Sequence, residues 1–380
     1  MTTSGATGIV VVGGGITGAF TAYFLSRAGV ETTLIERDEI GGHASGSNPG
    51  GLNPLHGAGI PGPMQQVALE AFALHADNWD SIRDLAGIDF APRRAARLNL
   101  AVDEQDIEQL ESAKQPYDST PGFAARWVER DELRTIEPGL DGAIERGLWT
   151  QGNARVDAAA YTRAVARAAS AHGAAAVKGE VQGLQRQGGQ VTGVVLRNGS
   201  IGCDGVVIAC GPWCAEPARW LGVSIPVEPV KGELLLVAGQ GVRTDLAWRD
   251  AGVYRTAGGE AWLGGTEERA GFDAAPSPRA RAAILERVSR VVPGMRGSRL
   301  LRHVAALRPV TRDGIPIVGL AGGLENACLA VGSGRKGVLL SAAIGRAAAD
   351  LLTSGSTAVS IQACSADRWT EEPAGEVTSA

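Results

Sequence analysis

Apolar positions along this chain follow three rhythms, and each predicts a different element. Short apolar runs rich in β-branched residues predict buried strands at Ile9–Val12, Thr32–Ile35, Gly205–Ala209 and Cys328–Val331. Helical spacing at Ile16, Ala19, Phe20, Tyr23, Phe24 and Ala28 predicts a helix that Gly29 stops. Further helices are expected over Met64–Leu85, Glu104–Ala113, Asp157–His172 (with Asp157 as N-cap), Pro278–Val291 and Val338–Leu352, and a helical turn from Val128 to Leu133. Alternation predicts a strand at Arg97–Val102. It also predicts a hairpin, Glu180–Gln187 and Gln190–Arg197, that turns at Gly188-Gly189. Val227–Val237, Gly252–Thr256 and Ala261–Gly265 read as antiparallel strands of a second sheet.

The first strand, helix and strand form a β-α-β unit, whose strands should be parallel. The ends of the chain look doubly wound and the middle meanders. The expected fold is therefore α/β: a doubly wound parallel sheet with an inserted mixed or antiparallel sheet. The parallel-sheet domain is expected to be discontinuous, over 1–75, 150–212 and 300–368, with a second domain over 76–149 and 213–299. Residues 370–380 read as a disordered tail. The stretch Gly41–Gly62, rich in Gly, Ser, Asn and Pro, is too long for an ordinary connection and is expected to be functional.

Composition narrows the class. The 53 glycines among 380 residues suit a tightly packed α/β protein with close backbone contacts. A net charge of −5 without a Lys/Arg block leaves no phosphate-backbone footprint, so nucleic acid is not an expected partner. The five cysteines fit no zinc pattern and suit a reducing cytoplasm. The N-terminus has no basic segment of a signal peptide, and the reading finds no membrane span. No metal cluster and no Ser-His-Asp arrangement is apparent.

Gly13-Gly14-Gly15-Ile16-Thr17-Gly18 matches G-x-G-x-x-G between strand and helix. Gly13 permits the turn, Gly15 lets backbone approach a diphosphate, and Gly18 lets the helix pack on the strand. The helix N-terminus offers free N–H groups and positive dipole. Glu36, ending the second strand, suits the two hydroxyls of an adenosine ribose and disfavours a 2′-phosphate. This unit serves NAD and FAD equally.

Five ordered stretches resemble the D-amino-acid oxidase superfamily of flavoproteins, in particular glycine oxidase and small amine dehydrogenases. They are the opening unit; Gly42-His43-Ala44-Ser45-Gly46-Ser47-Asn48-Pro49-Gly50-Gly51-Leu52; Val207-Ile208-Ala209-Cys210-Gly211-Pro212-Trp213, followed by Pro229-Val230-Lys231-Gly232-Glu233; Leu307-Arg308-Pro309-Val310-Thr311-Arg312-Asp313-Gly314-Ile315-Pro316; and Gly332 to Leu340. The resemblance implies FAD on a glutathione-reductase-like Rossmann sheet. The opening unit grips only the ADP half. The C-terminal glycine loop and the helix after it would meet the flavin ring near N1/O2.

Residue by residue, the resemblance implies cofactor contacts from Gly13, Gly15, Ile16, Thr17 and Gly18, then from Glu36 and Arg37. The loop adds His43, Ala44, Ser45, Gly50 and Gly51, with Ser45 on the diphosphate side. Val181 falls at the adenine-contacting valine, and Gly211 follows in the third stretch. Gly332, Gly334, Arg335, Lys336, Gly337 and Val338 complete the set. For substrate, the matching arginine is Arg308, which would pair with a carboxylate. Tyr254 would bond the same group, Arg335 would add a contact, and His56 would line the pocket. Ala306 stands where sarcosine oxidases carry a flavin-tethering cysteine, so FAD is expected to be noncovalent.

The implied reaction is oxidative deamination of a small amino or imino acid. Hydride passes to flavin N5, and the imine hydrolyses. O2 or another acceptor would take the electrons. Alternatives are an oxidase of the tRNA wobble-uridine type and a non-catalytic flavin-binding protein.

Overall fold

A computed structural model describes residues 8–239 and 241–369; the tail expected over 370–380 lies outside the described residues. Ile9–Val12 sits at the centre of a six-stranded sheet, parallel to Thr32–Glu36 on one side and Gly205–Ile208 on the other. Ala175–Lys178 and Ala327–Val331 extend it in parallel, and Ile317–Leu320 closes one edge antiparallel. All four central residues are buried because both faces are covered. Ile9 and Val11 point to a core with the helices Ile16–Arg27, Gln65–Ala86, Ala158–Ala171 and Gly337–Ser354. Val10 and Val12 point to the three-stranded meander that begins at Val181.

The glycines of the opening turn are sterically required. Gly13 has φ +112°, and a Cβ there would overlap the Ala209 carbonyl; a Cβ on Gly18 would overlap the Gly13 carbonyl. Gly345 has the same role between helices. A Cβ at that position would lie 2.7 Å from Phe20 Cβ and 2.8 Å from the Thr21 nitrogen. The first and last helices thus cross backbone to backbone.

The second sheet has eight strands, and its two faces differ. Leu98, Leu100, Leu148, Leu235, Leu246, Val253 and Leu263 project to one side and form a core with Ile284 and Val288 of the helix Pro278–Ser289. The period of two puts Arg97, Gly232, Tyr254 and Arg308 on the other side. That face looks onto the six-stranded sheet.

Several boundaries differ from the sequence reading. Leu300–Thr311, placed there with the parallel-sheet domain, pairs along its whole length with Val227–Val237 in the large sheet. Its alternation is masked by the exposed Arg302, by His303, which lies 2.8 Å from the buried Glu233, and by Arg308, which faces the cavity. The helix Gln65–Ala86 runs unbroken through the expected boundary at 75, its buried face entirely in the first core. Cys214, Leu221 and Ile225 pack beneath the parallel sheet, so the crossing lies nearer residue 226 than 213. The turn expected from Val128 is the edge strand Ala124–Glu129 followed by the helix Arg130–Ile136. Among the described residues one helix, Gly334–Ser354, is long and apolar enough by length and composition to cross a membrane. Its Leu339, Leu340 and Ile344 are buried in the first core.

His75 has no motif around it, yet it ties this layer together. Its Nδ1 lies 2.8 Å from the Tyr161 hydroxyl and its Nε2 lies 2.9 and 2.8 Å from the Val338 and Leu339 carbonyls. Complete burial pushes its pKa down to about 4. The unfolded chain takes up a proton below pH ~6.5 while the folded one stays neutral. The stability His75 lends is therefore full above pH 6.5 and falls as the pH drops toward 4, by about 2 kcal/mol at pH 5. Denaturant titrations at pH 7.5 and 5 should show that loss, and His75→Gln, although less stable at both, should show a smaller one.

Candidate functional site

The polar face of the large sheet and the carboxyl ends of the parallel strands enclose a cavity of about 1520 Å³. One end is built by the opening unit. Gly13, Gly15, Ile16 and Thr17 line it beside Glu36 and Arg37. Glu36 accepts from the Gly14 N–H at 2.7 Å through one oxygen and from the Asp38 N–H at 2.9 Å through the other. Two backbone donors hold the carboxylate, and its remaining lone pairs can accept ribose hydroxyls. The Ser45 hydroxyl accepts from the Ile16 N–H at 2.9 Å, which leaves its own proton to donate at the mouth of the first helix.

Above this end stands Trp213. The Arg37 guanidinium lies 4.4 Å from its ring centroid, the His43 ring 4.6 Å and the Phe272 ring 6.1 Å. His43 Nε2 is also 2.8 Å from Asp38. The cluster lines the same cavity as Val181 and Gly211 and gives this end an aromatic wall.

At the other end the last helix begins. Gly332 has φ +81°, and a Cβ there would sit 2.5 Å from Thr311 Cγ2. Gly334 follows at φ +52°, and the helix Gly337–Ser354 opens with no side-chain cap. Gly337, Val338 and Leu339 of its first turn line the cavity. Lys336 sits at the cap position, its Nζ donating to the Asn53 carbonyl at 2.9 Å and the His56 carbonyl at 2.7 Å. Burial, with Arg97 and Arg335 nearby, pulls its pKa down to about 7. Burial and the charges of Arg97 and Lys336 pull His56 down to about 4, so its imidazole is neutral at neutral pH.

Arg308 projects from the strand Leu300–Thr311 across Gly232, where any Cβ would overlap its guanidinium. It donates to the Thr266 carbonyl at 3.0 Å. Thr266 is itself held in place: its hydroxyl accepts from the Glu233 N–H at 2.9 Å, while the buried Glu233 carboxylate accepts from the Ser277 N–H at 2.8 Å. Burial lowers the Arg308 pKa from its ordinary value, but guanidinium keeps its proton. Tyr254 stands beside it with Arg155 and Arg97 at 5.3 and 5.7 Å from its ring. Arg335, at the rim, pairs with Glu267 at 3.4 Å.

Two uncapped glycine loops, each opening a helix, therefore face one elongated cavity from opposite ends of the chain. A diphosphate fits the first and a polar ring edge fits the second. A profile of the family described as "FAD dependent oxidoreductase" (DAO) matches residues 8–351. This chain belongs to that family. It is 29% identical to the glycine oxidase of Pseudomonas aeruginosa over 91% of this chain and 94% of that one. It is 28% identical to the D-amino acid dehydrogenase of Paramagnetospirillum magneticum, covering 95% of this chain and 99% of that one. The crystal structure of glycine oxidase from Geobacillus kaustophilus superposes with a TM-score of 0.88 at 25% identity, covering 96% and 98% of the two chains.

The protein is thus an FAD-dependent oxidoreductase of the amino-acid oxidase and dehydrogenase class, and FAD is its cofactor. Of the residues the sequence singled out, Gly18 and Gly50 do not line the cavity. Gly18 serves the turn, and Gly50, at φ +74°, is packed so tightly on the Val156 carbonyl that a Cβ would overlap it. The others line the cavity, including Ala44, Gly51, Gly334 and Gly337. Sequence reasoning missed Arg97, Gly232 as a site residue, and Phe272. Gly232 lay inside a quoted motif. Arg97 shows only through pairing of distant strands, and nothing around Phe272 marks it. Removing the Glu36 carboxylate with Glu36→Ala should weaken FAD binding about 10- to 100-fold, read by titrating apoprotein with FAD and following flavin fluorescence.

Proposed function

We propose that the protein oxidises a small amino or imino acid, with the substrate carboxylate seated on Arg308. The observation that carries this reading is Arg308 itself: a half-buried guanidinium in the cofactor cavity that no carboxylate of the described residues meets within ion-pairing distance. A bidentate carboxylate satisfies it and fixes the substrate's orientation. Tyr254, on the same sheet face, supplies a hydroxyl to the same group.

FAD, when bound, would supply the hydride acceptor for the amine-bearing carbon, and water would hydrolyse the resulting imine to a carbonyl compound and ammonia or an amine. The chain's residues prepare the substrate for that transfer. Arg308, Arg335 and, when protonated, Lys336 put positive charge around this end of the cavity, and Glu267, the acid beside them, is taken by Arg335. Like-charge repulsion lowers the pKa of a bound ammonium and favours the free amine, whose lone pair assists hydride loss. Neutral His56 adds no charge. No general base is required among the side chains, because the proton leaves the amine on binding.

Cofactor attachment is read as noncovalent. Ala306 carries no nucleophile, and among the cysteines only Cys210 lines the cavity. Cys210 lies near Glu36 at the ADP end, its thiol pushed up to about 12 by burial. Acid precipitation should release all the flavin into the supernatant.

A panel of glycine, sarcosine, D- and L-amino acids and proline-like acids, read as bleaching of the yellow holoprotein without O2, tests the reaction. Repeating it with O2 separates an oxidase from a dehydrogenase. Arg308→Ala should raise KM by about 10- to 1000-fold. Gly232→Ala, which displaces the guanidinium without removing it, should have a smaller effect in the same direction, with FAD content unchanged in both. Failure of every amine in the panel to bleach the flavin would overturn the reading.

A further inference from the structure

Arg308 accounts for one carboxylate, and the cavity holds a second guanidinium that no acid among the described residues answers. Arg97 begins the strand Arg97–Ala101 and lies in the same cross-strand row as Asp245, whose other neighbour strand carries Tyr254. Asp245, the acid nearest to it by register, is already engaged: one oxygen pairs with Arg155 at 2.8 Å, and the other accepts from the Arg255 N–H at 2.9 Å. Among the described residues Arg97 makes no ion pair. Its Nε is buried without a hydrogen-bond partner, and its guanidinium approaches the Tyr254 ring at 5.7 Å. Its charge acts on His56 and Lys336, two residues of the cavity wall.

A half-buried guanidinium with no counter-ion is costly unless a ligand supplies one. The surroundings do not offset it. Lys336 donates only to neutral carbonyls, and Glu267 is taken by Arg335. A zwitterionic monocarboxylate would bring one negative group, which Arg308 consumes. The excess of positive charge calls for another.

We propose that Arg97 is a specificity residue that binds a second anionic group of the substrate, so that the site takes an amino or imino dicarboxylic acid. The inference rests on the reading of Arg308 as the carboxylate clamp. Tyr254 stands between the two guanidiniums, with one substrate carboxylate on each side of its ring. A short spacer joins them, as in aspartate- and glutamate-like acids or in amines carrying two carboxymethyl groups. The amine-bearing carbon stays beside the Arg308 carboxylate, so the reaction is unchanged. Arg97 then selects the substrate through KM and leaves hydride transfer alone.

The test uses the FAD-loaded protein and non-oxidisable probes, read as perturbation of the flavin absorbance. Succinate and glutarate are compared with propionate and butyrate. The wild type should bind the dicarboxylates at least about tenfold more tightly than the monocarboxylates, one charge-assisted pair's worth. Arg97→Gln should erase that preference, leave monocarboxylate binding within about twofold and keep FAD content. Arg97→Lys should retain part of it. Equal binding of the two classes by the wild type, a measurement that needs no variant, overturns the proposal. So does a parallel loss of both classes, or of FAD, in Arg97→Gln with no recovery in Arg97→Lys, because that pattern marks a structural arginine. If neither class perturbs the wild-type flavin, the Arg308 clamp falls first and this proposal with it.

Discussion

The crossing of the first and last helices sets the length of the site. Ile16–Arg27 begins at the diphosphate end, Gly337–Ser354 begins at the ring end, and the two touch where Gly345 meets Phe20 and Thr21. Each helix brings one uncapped N-terminus to the cavity, so the distance between the two grips is fixed by how closely the helices pack. A side chain at 345 would push them apart, and the two ends of a bound dinucleotide could no longer be held at once. His75 reinforces this spacing by tying a third helix to the first turn of the last. Core packing and cofactor recognition are here the same constraint, imposed by residues more than 300 positions apart in the chain.

The large sheet provides the chemistry that the helices do not. Its period of two separates an apolar face, buried on Pro278–Ser289, from a face that carries two arginines and a tyrosine over the cavity: Arg308, Arg97 and Tyr254. Small residues between them are as important as the charged ones. Gly232 leaves the space that the Arg308 guanidinium fills, and the buried Glu233 on the next position anchors the segment whose carbonyl receives it. One strand thus alternates between making room for a functional group and pinning its partner.

The parts of the fold that local physics decides were legible in the sequence. The strand-turn-helix at Gly13–Gly18 and the acid at Glu36 were read from residue type and spacing alone, because steric need and hydrogen bonding act within that short unit. Asp157 was readable as an N-cap and caps its helix through the Ala160 N–H. The large sheet was only partly legible. Leu300–Thr311 carries Arg308 where a buried strand would be apolar because that position looks into the cavity, while Arg302 is exposed and His303 lies against Glu233. Arg97 lies on a strand the sequence marked, but its place beside Tyr254 comes from a parallel pairing with Asp245–Trp248, more than 140 residues away. At Gly50 the need for glycine has a backbone reason that the motif does not reveal, the close approach of the Val156 carbonyl.

The stack of Arg37, Trp213 and Phe272 joins chain segments from both sheets over the adenosine end. Phe272 belongs to the loop that also carries Asp273, which reaches the buried Lys231 at 3.0 Å. The loop is therefore fastened to the large sheet at its root and laid across the dinucleotide domain at its tip. Trp213 and Phe272 both line the cavity, so the ring contact at its adenosine end is made between the two sheets rather than within either one.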